Sequence, residues 1–270
     1  MTLHKIKILL ILNISSLLFV FSCSDENSIF DNIQNVDNTD FSASELFTHN
    51  VGINNQNTFS LNGINGTVKV IPTNGPLVIV SGVRIVESQT LEDAQEYLKN
   101  LQVSVKDLGD EVVVETQQPQ QNYGRNLIVN YEIQLPKAWT VNLTNVNGDI
   151  IVDSLQGDLL INLVNGPVKL NNIYSNVTVD VVNGNIDGHV TLPSQGNCTM
   201  GIVNGPITLA IPQNTSAQFS AKLTNGSINL NNLELQNMQS SNTSMTGTLS
   251  TGQGSIDLQT VNGTISVNGF

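Results

Sequence analysis

Charge is scarce in this chain. Only 12% of its 270 residues are Asp, Glu, Lys or Arg, and ten basic residues face 22 acidic ones, for a formal net charge of -12. A surface that neutralises phosphates needs clustered Lys and Arg, so nucleic acid is excluded as a partner. A polybasic grip on anionic lipid is excluded with it. Histidine is scarcer still: His4, His49 and His189 lie far apart in sequence. With only two cysteines beside them, no ligand set for a metal is in sight, and neither metal nor cofactor is expected. Two cysteines build no disulfide framework either, so stability must come from a buried core. Aromatics make up 5% of the chain. Trp139, Tyr131 and Tyr123 are candidates for stacking on a sugar, but they cluster at a domain junction, where packing is the simpler account. The apolar run over residues 8–21 is broken by Asn13, Ser15 and Ser16 and is too short to span a membrane as a helix.

What the chain has in abundance is Asn, Gly, Ser, Thr and β-branched aliphatics, the composition of a turn-rich all-β protein. Its start is a targeting segment: Lys5 and Lys7, then the short apolar run, then Val20-Phe21-Ser22-Cys23. A small residue before Cys, with an aliphatic one two places further upstream, resembles the lipobox of bacterial lipoproteins. The resemblance implies a signal peptide over residues 1–22, cleavage before Cys23, and acyl chains on that cysteine. Each buried methylene contributes about 0.8 kcal/mol, so such an anchor holds almost permanently. Ser24 in second place looks like an outer-membrane signal, and Ser24-Asp25-Glu26 resembles a short acidic surface-export signal. Residues 23–50, rich in Asn, Asp and Ser, read as the lipidated Cys and a flexible tether. Cys198 is then left without a partner.

Residues 51–140 show strand signals and one helix. Thr90 with Asp93 three places on makes a variant capping box, and Leu91, Ala94, Leu98 and Leu101 share one helical face over about residues 90–102. Asp107-Leu108-Gly109-Asp110 reads as a hairpin turn.

From residue 141 to 270 the chain repeats itself. Asn-Gly recurs at Asn147-Gly148, Asn165-Gly166, Asn183-Gly184, Asn204-Gly205, Asn225-Gly226 and Asn262-Gly263, each followed after one residue by Ile or Val. The intervals are 18, 18, 21, 21 and 37 residues, the last being read as two units with a degenerate copy at Gln253-Gly254-Ser255-Ile256. A constant period with turn residues at one phase predicts a parallel β-solenoid of ~18–21-residue coils. Alternate residues before each turn are apolar, as in Leu159, Ile161 and Leu163, or Cys198, Met200 and Ile202. The alternation resumes after it, as in Ile228 and Leu230. These are the inward ladders. Gly supplies the unusual backbone of the corner, and stacked Asn amides could bond one another along the axis. The rival reading is a series of antiparallel hairpins, because Asn-Gly is also a strong hairpin signal.

The Val-Asn-Gly-x-Ile units, the entry strand Tyr131-Glu132-Ile133-Gln134-Leu135-Pro136 and the Glu92-Asp93-Ala94 helix resemble the candidate-adhesin family of exported β-strand-repeat proteins, domain of unknown function 4097. The resemblance covers about residues 59–270. It implies a β-helix-like fold and no established activity.

Catalytic chemistry is not apparent. A glycan-cleaving enzyme needs paired carboxylates on one face, and the repeats offer only the half-unit pair Asp149 and Asp158 at a similar phase. Calcium-binding β-rolls need an Asp in every turn, which is missing. Cys198 falls in an inward slot and reads as core. Asp153-Ser154-Leu155 resembles a periplasmic O-glycosylation motif. The expectation is therefore not an enzyme. The chain reads as a membrane-anchored envelope protein of the outer membrane, on its periplasmic or surface face, that binds a glycan or another envelope protein. The alternatives are a structural or regulatory component serving one cognate membrane protein and, less favoured, a glycan-active enzyme.

Overall fold

The repeat explains itself best at its middle. In the computed structural model, which describes residues 41–270, strand β10 (Leu159–Ile173) buries Leu159, Ile161 and Leu163, passes Asn165-Gly166, and then buries Val168, Leu170 and Ile173. One strand thus serves two faces, bent at the Asn-Gly corner. Strand β11 (Val177–Val190) lies beside it in parallel, pairing Leu159 with Val177, Asn165 with Asn183 and Gly166 with Gly184. Identical phase in successive coils is what a solenoid requires and what hairpins forbid. Expected parallel stacking therefore holds for the repeats.

Other coils split at the corner into two strands. These are β2 (Thr58–Asn62) with β3 (Val68–Thr73), β6 (Glu111–Gln117) with β7 (Asn126–Pro136), β8 (Thr140–Asn147) with β9 (Ile150–Asp153), and β12 (Asn197–Asn204) with β13 (Ile207–Ile211). Two further coils, β14 (Ala217–Asn231) and β17 (Gly254–Gly269), run unbroken. Spatial order departs from chain order at both ends. The β2–β3 coil sits between β6–β7 and β8–β9. The β17 coil sits between β12–β13 and β14. The 37-residue interval is therefore one coil plus a hairpin, not two coils: β15 (Leu235–Ser240) and β16 (Ser244–Leu249) pair antiparallel, and β16 covers the first half of β14.

The other end is closed on both faces. Strand β5 (Gln102–Asp107) pairs antiparallel with β6 through the expected turn, where Leu108 N–H donates to Glu111 O at 2.9 Å. Strands β4 (Leu77–Ser88) and β1 (Phe41–Gly52) extend the second face beyond β7. Helix α1 (Leu91–Leu98) is capped by Thr90, whose side chain accepts from Asp93 N–H at 3.1 Å. It buries Ala94 and Leu98, with Leu101 just beyond it, while Leu91 is 48% exposed and leaves the expected apolar face. Asp93 does not complete a reciprocal box. Its carboxylate accepts from Ser88 and from Arg125 instead.

Two expected boundaries move. The tether reading reached residue 50, but β1 begins at Phe41. No break falls at residue 140 either: both regions share one core, running from Ala43 to Val267, and belong to one compact unit, Asn38–Phe270. The signal peptide, Cys23 and His4 lie outside the described residues. Among the described residues, no helix is long and apolar enough to cross a membrane.

Candidate binding face

The corner residues come together as expected, and further than expected. Asn147, Asn165, Asn183, Asn204, Asn262 and Asn225 form one column in which each Nδ2 donates to the Oδ1 of the neighbouring coil, at 2.6–2.8 Å. The column starts one coil earlier than the repeats suggested, at Asn65, whose Nδ2 donates to Leu127 O at 3.0 Å. An amide can stack in this way because it carries a donor and an acceptor. The glycines stack beside it. A Cβ on Gly148, Gly166, Gly184, Gly205, Gly263 or Gly226 would strike the carbonyl oxygen of the glycine in the adjoining coil. Close approach of backbones, together with φ of +124° to +155° at five of the six, demands glycine there.

This column is architecture, and the functional candidates are the outward rows beside it. Along the first halves of the coils, Ser60, Asn142, Leu160, Thr178, Thr199, Asp257 and Ser220 face outward in register on successive coils. A second column of polar bonds borders them. Asn176 donates to Asp158 at 2.9 Å, Asn197 N–H donates to Asn176 at 2.9 Å, and Ser255 donates to Asn197 at 2.7 Å. On the other side, next to the Asn column, Val146, Val164, Val182, Val203 and Val261 make an aliphatic stripe, exposed at both ends and half-buried between.

Within these rows lies a shallow depression of about 210 Å³, lined by Thr140, Asn142, Asp158, Leu159, Leu160, Asn176 and Thr178. Leu160 is 37% exposed there. Asn142 donates to Ser60 at 3.2 Å, and Ser60 in turn bonds Glu111. Pockets that enclose a small ligand are typically ~300 Å³ or larger. This hollow can only seat part of an extended ligand, offering hydroxyls, amides, one carboxylate and the exposed Leu160 side chain.

The other singled-out residues find structural places. Asp149 and Asp158 are exposed on opposite sides of the bend, one just after the Asn-Gly corner and one at the return turn. Cys198 is fully buried, and burial pushes its thiol up to about 12. Tyr131 and Trp139 are buried, Tyr131 with its hydroxyl 2.7 Å from Thr116. Tyr123 alone of the three aromatics is open, at 74% exposure. It flanks a cluster that sequence reasoning missed: Arg125 binds Asp93 at 2.5 and 2.7 Å and lies 4.3 Å over the Tyr97 ring. Hydrogen bonds from Arg125 and Ser88 hold the Asp93 carboxyl below its usual range. Residues some thirty apart carry no local signal of such pairing. His49 packs against Phe47, and His189 stacks on Phe270 at 4.1 Å. Ser154 is exposed in a left-handed turn while the following Leu155 is buried. Among the described residues, no three His, Cys, Asp or Glu side chains are grouped to hold a metal.

Several solved structures resemble this chain in part. A candidate cell adhesion protein from Clostridium sporogenes ATCC 15579 is 14% identical, covers 84% of this chain and all of its own, and superposes with a TM-score of 0.49. A candidate adhesin from Bacteroides fragilis NCTC 9343 is 12% identical over 84% of this chain and 97% of its own, with a TM-score of 0.31. One from Parabacteroides distasonis ATCC 8503 is 11% identical over the same shares, with a TM-score of 0.24. No curated protein matches. The Toastrack DUF4097 family matches residues 98–268, more than half of the chain, and the chain belongs to that family.

Proposed function

We propose that this protein is an exported lipoprotein, anchored through Cys23 at the outer membrane, that binds without catalysis through the outward rows of its first face. The observation that carries the reading is the form of that face. Asn, Thr and Ser recur at the coil spacing of about 4.8 Å over many coils, around one shallow hollow and with few charges. A solenoid binds through such extended surfaces. The ligand class that suits it is a linear, hydroxyl-rich glycan: hydroxyls exchange hydrogen bonds with the amides while a sugar's C–H face lies on Leu160. An envelope protein with a complementary polar strand is the second candidate.

A glycan array probed with residues 24–270 tests the reading. Leu160→Arg and Asn142→Ala should each weaken a hit by about tenfold, the scale of one lost hydrogen bond or apolar contact. Binding untouched by both variants places the ligand elsewhere, and turnover of any polysaccharide refutes the non-enzymatic role. Palmitate labelling that survives Cys23→Ala refutes the anchor. Complete protection from protease on intact cells refutes exposure at the cell surface.

A further inference from the structure

The two ends of the solenoid are finished differently. At one end both faces continue into antiparallel strands, β5 on the first face and β4 with β1 on the second. At the other end β16 covers only residues 217–222 of β14, and among the described residues no strand pairs with the outer edge of residues 225–231. The register of earlier coils shows which groups are left over. Ile186 N–H donates outward to Pro206 O in the next coil at 3.0 Å, and Ile186, Ile207, Ile265 and Ile228 are successive members of one row. In the last coil the amide and carbonyl of Ile228 therefore point away from the stack, as do those of Gly226 and Leu230.

The side chains say the same. Ile186, Ile207 and Ile265 are at most 1% exposed, as are Leu209 and Val267 in the next inward row. Their counterparts in the last coil, Ile228 and Leu230, are only partly buried, and so is Leu233, which closes the coil beneath them. Natural sheets blunt such edges with charge, proline or bulges. Strand β1 carries Glu45 and β5 carries Lys106 and Asp107. Strand β15 has a register shift between Gln236 and Gln239, with Asn237 at a φ of 51°. Residues 224–231, Thr-Asn-Gly-Ser-Ile-Asn-Leu-Asn, have none of these devices.

We propose that this edge pairs with the same edge of a second copy of the chain, antiparallel about a two-fold axis at Ile228. The segment is self-complementary in that arrangement. Ile228 faces its own mate, Ser227 faces Asn229, and Gly226, lacking a side chain, leaves room for Leu230. A two-fold axis perpendicular to the sheet keeps both inner faces on one side, so Ile228, Leu230 and Leu233 of the two copies cover one another. An antiparallel pair exchanges two bonds at every second residue, about six in all here. The charge-free edge is also where two chains of net charge -12 repel least. One strand pair is a small interface, so the expected state is a reversible, concentration-dependent dimer. This inference does not depend on the proposed ligand or on the lipid anchor.

Residues 38–270 fold on their own core and serve for the test, by sedimentation over a wide concentration range. Ser227 and Asn229 are exposed, so lysines there leave the fold intact. Ser227→Lys with Asn229→Lys sets like charges opposite one another twice and should weaken the dimer by about tenfold or more, with an unchanged melting temperature at dilutions where both chains are monomeric. Ser227→Lys with Asn229→Glu sets opposite charges together in the same register and should dimerise at least as tightly as the unmodified chain. A chain that stays monomeric at every concentration overturns the proposal. So does a Lys/Lys variant that dimerises normally, or a Lys/Glu variant that does not dimerise.

Discussion

Removing one side chain from the middle of the asparagine column should cost more than removing one from its end. Asn183 both donates to Asn165 and accepts from Asn204, each at 2.8 Å, so Asn183→Ala severs two bonds. Asn225 only donates, to Asn262 at 2.8 Å. A typical net contribution is about 0.5–1.5 kcal/mol per bond. The column is exposed, so the orphaned amides regain water and the lower half of that range applies. About 1–2 kcal/mol is expected for Asn183→Ala and about half as much for Asn225→Ala. Urea melts with unchanged slope read both values directly. Equal costs at the two sites, or neither above about 0.3 kcal/mol, would refute a cooperative amide column. Asn183→Asp sharpens the test through pH. An ionised carboxylate there still accepts from Asn204 but opposes the Asn165 carbonyl oxygen, which raises its folded-state pKa above the unfolded value of about 3.9. That variant should be most stable in acid and lose stability as pH rises from about 4 through the raised pKa.

Three further outcomes follow from single residues. Gly184→Ala forces a Cβ onto the carbonyl oxygen of Gly166 at a φ of +155° and should cost at least ~3 kcal/mol or abolish folding, read by circular dichroism. Cys198, fully buried with its thiol pushed up to about 12, should resist a thiol reagent at neutral pH in the native chain and react once urea unfolds it. The Asp93 carboxyl is held below its usual range by Arg125 and Ser88, so its contribution is present above about pH 4 and is lost as pH falls through the depressed pKa. Asp93→Asn should flatten that acid limb of the stability curve, by less than about 1 kcal/mol because the pair is still reached by solvent.

Much of the fold was legible because the repeat writes local geometry in local residues. The inward ladders, the Asn-Gly corners and the turn at residues 107–110 each depend on neighbours within one coil, and all appear as read. Coil order was not legible. Nothing within residues 254–269 says that they lie between the coils of residues 197–211 and 217–231, because every coil offers the same edge chemistry to every other. The outward rows were also invisible, since which polar residues share a row depends on that order. One rule does connect sequence to place. Side-chain amides occupy the interior of the Asn column, and Asn176 that of the second, where one group must both give and accept. Asp158, which accepts from Asn176, and Asp153, which accepts from Asn171 at 2.6 Å, occupy positions where only acceptance is needed.

The inserted coils change how the solenoid should come apart. In a sequential solenoid each coil touches only its neighbours in the chain, and removing the last one costs one interface. Here the last strand, β17, is flanked by β12 and β13 on one side and by β14 on the other. Deleting residues 254–270 therefore breaks two interfaces and strands β14, with its hairpin, away from the stack. The row Asn204–Asn262–Asn225 loses its middle member at the same time. Residues 38–253 should therefore fail to form a stable chain or show protease-sensitive residues 212–253, whereas a merely terminal coil would leave a shorter, protected solenoid. Adding residues 254–270 as a separate peptide should restore protection. Limited proteolysis reads the difference, and a truncated chain as resistant as the whole would contradict the inserted order.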